Sequence, residues 1–322
     1  MGGGEAHHMK AWLFIGAHQP LKYIERETPR PGQGEVLVAV RGSGLCHSDV
    51  GRMDGTLTPY MPKPPPIILG HEIAGVVEEV GAGVGDYASG DRVVASGTQA
   101  YCPGRNSDGG YATHCVLPVS CLLRLPDEVS FVQGAAATDA GQTSHHAVVA
   151  AGQVEAGQRV GVVGLGGLGM TGARIAVLAG AEVYGAEPRK EAWAAAKAQG
   201  VREVFVDANE MAGLDLDLIV DFAGFGETTA SAVRAVRPEG RVVLVGLGRT
   251  ETLIPTMPLV AKSVTLRGSG GGRPSDTAAV LTYMARGGLT IEASTIGFDE
   301  IPEGLERLKR GGAVGRVVAL LA

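Results

Sequence analysis

The strongest constraint on the fold is a strand–turn–helix passage at residues 159–180. Arg159-Val-Gly-Val-Val163 is an apolar run that leads into Gly164-Leu-Gly166-Gly167-Leu168-Gly169, and helical patterning follows over 170–179 until Gly180. In a chain with 50 glycines the motif alone says little. A strand before it and a helix after it make it a phosphate-binding turn. The three spaced glycines have separate uses: a tight turn, room for a pyrophosphate to touch backbone, and close helix–strand packing. The helix N-terminus adds unpaired N–H groups and a positive dipole end. Gly164, Gly166, Gly167, Leu168 and Gly169 are therefore candidate dinucleotide contacts. Glu187 stands eighteen residues beyond Gly169, where the next strand candidate ends. A carboxylate there accepts hydrogen bonds from ribose hydroxyls and favours NAD over NADP. Arg189, two residues further, keeps NADP open, because a guanidinium can meet a 2′-phosphate.

Strand and helix candidates keep alternating after this passage, at 182–187, 191–198, 203–207, 216–221, 228–236, 241–245, 264–268 and 276–286. Their strands are continuous apolar runs, as in a parallel sheet buried on both faces. The expectation is a doubly wound α/β sheet of about six strands over 151–290. Residues 10–150 have another texture. Alternating or β-branched runs at 9–15, 35–40 and 73–80 are separated by Pro29-Arg-Pro-Gly and Lys63-Pro-Pro-Pro. That punctuation predicts a β-rich, barrel-like domain. The last run, Gly315-Arg-Val-Val-Ala-Leu-Leu, is expected to return to this domain, so 291–322 forms a C-terminal segment of it. Residues 1–9 lack an apolar signal core and are read as a leader, with Met9 the natural start. His7 and His8 are discounted as ligands for that reason. The chain shows no internal repeat.

A net charge of −6 with no basic block argues against nucleic acid or an anionic membrane as partner. No apolar run has membrane-spanning length. Cys46, Cys102, Cys115 and Cys121 lack CxxC spacing, which fits free thiols in a reducing cytoplasm, one or more of them on a metal. Cys46 and His71 each sit in a dense polar cluster, Gly44-Leu-Cys46-His47-Ser48-Asp49 and Gly70-His71-Glu72. Thiolate and imidazole suit Zn2+, and a catalytic zinc takes three protein ligands and leaves one position open.

From about Lys10 to Ala322 the sequence resembles the zinc-containing medium-chain alcohol dehydrogenases. The resemblance rests on the Cys46 cluster, Leu69-Gly-His-Glu-Ile-Ala-Gly-Val-Val-Glu-Glu-Val-Gly81, Gly90-Asp-Arg-Val93, Asp108-Gly-Gly-Tyr-Ala112, Thr138-Asp-Ala-Gly-Gln-Thr-Ser-His-His146 and the glycine motif, in the family's order. It implies a GroES-like β-barrel catalytic domain beside a Rossmann domain. It also implies hydride transfer between an alcohol carbon and NAD(P), with small alcohols, aldehydes or ketones as substrates, and a homodimer or homotetramer. By the same resemblance Asp139 is the third metal ligand, although Thr138-Asp-Ala-Gly also reads as a helix cap. Glu72 matches a carboxylate close to the metal, and Asp49 the residue that orients the imidazole of His71. Ser48 matches the hydroxyl that takes the alcohol proton. His47 and Arg316 match contacts to the cofactor pyrophosphate.

Two departures from the family pattern stand out. Many members carry a second, structural zinc on four closely spaced cysteines, but residues 94–107 hold only Cys102, so one catalytic Zn2+ per chain is expected. Several members end the proton relay with a histidine where this chain has Gly51. Cys115 and Cys121 are expected to be buried thiols, and His114, His145 and His146 core or surface residues. Pocket walls are expected near 56–61, 102–111 and 268–273. Two other readings stay open: a zinc-free quinone or enoyl reductase on the same fold, and a non-catalytic NAD-binding protein.

Overall fold

The computed structural model describes residues 7–98, 100–312 and 315–321. Two compact units emerge, one of Met1–Asp139 with Arg273–Ala322 and one of Ala140–Gly272. Among the described residues no helix is long and apolar enough to cross a membrane.

The first unit opens with β1 (His8–Phe14), β2 (Lys22–Glu27) and β3 (Glu35–Leu45). After α1 (His47–Met53) come β4 (Ile67–Ile68), β5 (Glu72–Val80), β6 (Arg92–Ala95), β7 (His114–Pro118) and β8 (Leu122–Arg124), and then α2 (Phe131–Ala136). The residues read as a leader overlap β1 at His8 and Met9, and Met9 is buried. The long strand β3 organises the unit. It pairs antiparallel with β5 and β7, and its register with β5 shifts between Leu37 and Val38 and between Val40 and Gly42. Irregularities of this kind bend a strand and raise its twist, which lets a sheet curl on itself. Its alternating Val36, Val38 and Val40 point into a core with Phe14, Leu45, Ile67, Ile68, Ile73, Tyr111 and Leu117. Each such side chain contributes about 1.5–3 kcal/mol by leaving water.

In the second unit, α3 (Gln142–His145) lies between two π-helical stretches, Ala137–Gly141 and His146–Ala151. The sheet follows with β9 (Arg159–Val163), α4 (Gly167–Leu178), β10 (Glu182–Ala186), α5 (Trp193–Ala198), β11 (Glu203–Phe205) and β12 (Leu218–Asp221). It ends with α6 (Glu227–Ala235), β13 (Arg241–Leu244), α7 (Thr256–Ala261) and β14 (Thr265–Gly268). Among the described residues the strands run parallel in the order β11-β10-β9-β12-β13-β14, which is the doubly wound arrangement anticipated from the alternating pattern. β9 and β12 are innermost, and their runs of Val, Leu and Ile are buried.

The chain then returns to the first unit through α8 (Pro274–Ala285), β15 (Ala293–Gly297), α9 (Ile301–Lys309) and β16 (Arg316–Leu320). β16 pairs antiparallel with β3, setting Val317 opposite Leu45. The second unit thus starts and stops earlier than the 151–290 read from the sequence. At one end, Ser144 Oγ donates to the Leu168 carbonyl at 2.8 Å and ties the helical segment to α4. At the other, Thr277 of α8 shares a buried 3.0 Å hydrogen bond with Ser96, in the first unit.

Candidate active site

The first unit gathers Cys46, His71, Glu72 and Asp139 so that one donor atom from each lies within 4.8 Å of the others. Local structure explains how. Cys46 follows the last residue of β3 and stands at the N-cap of α1, where its side chain makes no capping bond, so the sulfur is not spent on the helix. Glu72 opens β5 directly opposite Gly44 of β3. A Cβ on Gly44 would overlap Glu72 Oε2, so the missing side chain at 44 is what lets the carboxylate in. Asp139 lies in the π-helical stretch that continues α2. The helix begins at Ser130, whose side chain accepts the Gln133 N–H. Asp139 is therefore inside the helical run, and the alternative reading of it as a cap does not apply. π turns are wider than α turns and re-aim the side chains they carry. Asp139 Oδ2 lies 3.4 Å from Cys46 Sγ and 3.0 Å from Arg316 Nη2. The same Arg316 nitrogen donates to Glu72 Oε1.

Beneath this cluster Asp49 is fully buried and serves three groups. Its Oδ1 takes Arg52 Nη1 at 2.5 Å and lies 3.5 Å from His71 Nδ1, while its Oδ2 accepts the Tyr111 hydroxyl at 2.8 Å. Burial works to raise the Asp49 pKa, but the charges of His71 and Arg52 and the hydrogen bonds from His71 and Tyr111 overcome it and hold the carboxyl well below 3.8. For His71 burial disfavours the charged ring, and the Asp49 carboxylate outweighs it, so the pKa is raised. Asp49 thus stabilises positive charge on that ring, whether a proton or a metal supplies it.

Gly44→Ala is expected to expel the Glu72 carboxylate. Overpacking of this kind costs about 1–3 kcal/mol, and disturbing a metal's outer shell weakens binding about 10- to 100-fold. Thermal melts and metal titration read the two effects, and a variant with parental metal affinity would show that Gly44 is not what admits the carboxylate.

The glycine motif lies in the second unit. Gly164 has φ +82°, the left-handed turn. A Cβ on Gly169 would overlap the Gly164 carbonyl, and one on Gly166 would meet nothing within 4 Å. Among the described residues no packing requires glycine at 166. Gly167 and Leu168 form the first turn of that helix. Glu187 follows β10 and is nearly inaccessible. Its Oε1 accepts the Arg189 backbone N–H at 3.0 Å and Nε at 2.8 Å, and its Oε2 accepts the Leu165 N–H at 2.9 Å. Burial pushes this carboxyl up, but the hydrogen bonds and charge of Arg189 and the Leu165 N–H leave it lowered overall. Glu187 therefore also braces the glycine turn, a role its position in the sequence does not reveal.

Two family models match the chain, the alcohol dehydrogenase GroES-like domain over residues 32–127 and the zinc-binding dehydrogenase domain over 167–286. An alcohol dehydrogenase of Geobacillus stearothermophilus is 31% identical over 341 residues, covering 97% of this chain and 99% of that protein. The chain belongs to the zinc-type medium-chain alcohol dehydrogenase family. Among solved structures, acetophenone reductase from Geotrichum candidum in complex with NAD superposes with TM-score 0.90 at 27% identity, covering 99% of both chains. A cobalt- and zinc-bound thermostable alcohol dehydrogenase from Pyrobaculum aerophilum superposes with TM-score 0.87 at 26% identity, covering 98% of this chain and 100% of the other. The protein is accordingly an NAD(P)-dependent oxidoreductase acting on CH–OH groups.

Within that family frame the site residues fall into two sets. Cys46, His47, Ser48, Asp49, His71, Glu72, Asp139 and Arg316 belong to the first unit, whereas the glycine motif, Glu187 and Arg189 belong to the second. His47 is exposed and Ser48 half-buried, both in the first turn of α1. Sequence reasoning missed Arg52 and Tyr111 as partners of Asp49. Arg52 stands at i+3 on the same short helix, a spacing that brings side chains together. Tyr111 reaches Asp49 from a distant segment, and no local signal marks that contact. Arg316 was assigned to the cofactor, and its place on Glu72 and Asp139 was not foreseen. His114 Nε2 lies 2.9 Å from Glu78 Oε2. Cys102, Cys115 and Cys121 are buried free thiols, and burial raises the Cys121 pKa to about 12.

Proposed function

We propose that the chain is a zinc-dependent alcohol dehydrogenase and aldehyde or ketone reductase, with one catalytic Zn2+ held by Cys46, His71 and Asp139. The observation that carries this is the donor set, since one donor atom from each of Cys46, His71, Glu72 and Asp139 lies within 4.8 Å of the others. The sulfur, nitrogen and oxygen donors suit zinc. Asp49 faces His71 Nδ1, which leaves Nε2 for the metal. Glu72 Oε2 is buried without a hydrogen-bond partner among the described residues, as expected where a cation belongs nearby. A zinc-free quinone or enoyl reductase, or a scaffold that only binds NAD, has no use for this donor set.

The bound ion supplies Lewis acidity that lowers the pKa of a substrate alcohol. With the ion and a nicotinamide cofactor bound, Ser48 would take the alcohol proton, and the cofactor would supply the hydride acceptor or, in the reverse direction, the hydride for a carbonyl. Because Gly51 offers no side chain to continue the relay, the proton would leave by water or another group. Ser48→Ala is expected to lower kcat about 10²- to 10⁴-fold, the usual worth of a positioned acid–base group. Parental turnover in that variant would remove Ser48 from the mechanism.

NAD is the preferred cofactor in this reading. Glu187 would accept hydrogen bonds from the ribose hydroxyls of a bound dinucleotide, and its charge would repel a 2′-phosphate. His47 and Arg316 are the proposed pyrophosphate contacts from the first unit. Substrates are small alcohols, aldehydes or ketones. We also propose a homo-oligomer built through β14, which ends the sheet order. Large apolar side chains stand exposed nearby in sequence, with Leu253 at 91%, Met257 at 77% and Val260 at 75%, and a second copy covering them would remove an aggregation-prone edge. Free cysteines fit the cytoplasm. The deciding experiment measures NAD- and NADP-linked rates over a panel of alcohols, aldehydes and ketones, with zinc quantified and mass determined by sedimentation on the same sample. Less than half a zinc per chain, or no hydride transfer across the panel, refutes the zinc reading, and a monomer refutes the oligomer.

A further inference from the structure

We infer that Arg189 competes with the adenosine ribose for Glu187, so that this chain accepts NADP alongside NAD and Arg189 sets the balance; the inference rests on the dinucleotide site proposed above. In the free protein the carboxylate is fully engaged. Glu187 is 3% exposed. Its Oε1 accepts the Arg189 backbone N–H at 3.0 Å and the guanidinium Nε at 2.8 Å, while its Oε2 accepts the Leu165 N–H at 2.9 Å and Arg189 Nη2 at 3.3 Å. A carboxylate offers about four acceptor positions, and these donors take them. A ribose that needs Glu187 must therefore displace one of them.

The surroundings decide which donor gives way. The Glu187 N–H donates to the Phe205 carbonyl at 2.8 Å, and the Trp193 indole donates to the Glu187 carbonyl at 2.8 Å, so the backbone is held on both sides. Leu165 belongs to the glycine turn and stays with it. The guanidinium is the movable partner, with 48% of the Arg189 side chain exposed against 4% for Glu187, and it is free to return to water. NAD must break this contact to reach the carboxylate, and its apparent affinity falls with the fraction of molecules in which Arg189 has let go. NADP has no such requirement. Arg189 turns Nε and Nη2 to Glu187, which leaves Nη1 to meet a 2′-phosphate while the pair neutralises the carboxylate that would repel it.

The test reads binding, not turnover, on the full chain. NADH and NADPH are titrated separately, each followed by its nicotinamide fluorescence. The parent should bind NADPH within about tenfold of NADH. Arg189→Gln, at an exposed position, should bind NADH at least about threefold more tightly, because the competitor is gone. The same variant should bind NADPH at least about tenfold more weakly, because a charged phosphate contact is lost. Glu187→Gln keeps a carbonyl for the Leu165 N–H and frees Arg189, so NADPH should tighten and NADH weaken, each by about tenfold. Weaker NADH binding to Arg189→Gln overturns the inference and makes Arg189 a support for Glu187. So does a parent that favours NADH by more than about 100-fold, with Arg189→Gln leaving that ratio unchanged. A parent that binds neither dinucleotide overturns the proposed cofactor site along with it.

Discussion

Replacing Cys46 by Ala should leave a folded protein with less than about a tenth of the parental zinc, and turnover about 10³- to 10⁴-fold lower. Cys46 is half-buried at the N-cap of α1 and is no part of the hydrophobic core, so its loss should cost little stability. Its cost to the site is large. The thiolate is the softest donor and one of the three proposed ligands; His71 and Asp139 alone cannot complete a tetrahedral set, and Glu72 is engaged by Arg316. Metal polarisation of the substrate oxygen is worth several kcal/mol, and each 1.36 kcal/mol is about tenfold in rate. Initial rates and zinc content measured on one preparation decide the matter. Undiminished kcat/KM in a zinc-free variant would favour a reductase that does not use the metal.

Asp49→Ala is expected to destabilise the fold by about 3–5 kcal/mol, the usual cost of removing one partner of a buried ion pair. The substitution strands the Arg52 guanidinium, which is 6% exposed, leaves the buried Tyr111 hydroxyl without its acceptor and removes the carboxylate beside the His71 ring. Equilibrium urea unfolding measures the loss, and the double variant Asp49→Leu with Arg52→Met should recover much of it, because a well-packed apolar pair can replace a buried ion pair. The pH dependence provides a second reading. Asp49 has its pKa held below the ordinary 3.8. Its contribution is therefore complete above pH about 4 and is lost as pH falls through the lowered value. The parent should lose stability steeply below pH 4, and Asp49→Ala less so. A variant within 1 kcal/mol of the parent, with the same acid limb, would show that Asp49 does not anchor the site.

Much of the fold was legible from local patterns. The apolar run, glycine turn and helix at 159–180 specify a parallel strand and crossover whatever lies elsewhere, because the hydrophobic period and the steric demands of the turn are local. The second unit's edges were less legible. The helical segment before β9 and helix α8 both carry ordinary helical patterns, and only the contacts of Ser144 with Leu168 and of Thr277 with Ser96 assign them to their units. A missed signal was Ser130 followed by Gln133, a capping pattern that marks the helix carrying Asp139.

The candidate site divides along the same line. Residue chemistry singled out Cys46 and His71, since thiolate and imidazole in polar clusters have few other uses, and the family resemblance brought in Asp139. By itself the sequence determined the strand–turn–helix of the nucleotide-binding sheet, the β-rich character of the first domain and the identities of the metal-type donors. Only the tertiary structure decided that Gly44 vacates room for Glu72, that Tyr111 and Arg52 converge on Asp49, and that Arg316 spans Glu72 and Asp139. Apart from the i+3 pair of Asp49 and Arg52, those contacts join residues far apart in the chain, up to the 244 positions between Glu72 and Arg316. They depend on strand register and on the packing of one sheet around β3, which no local pattern of residues encodes.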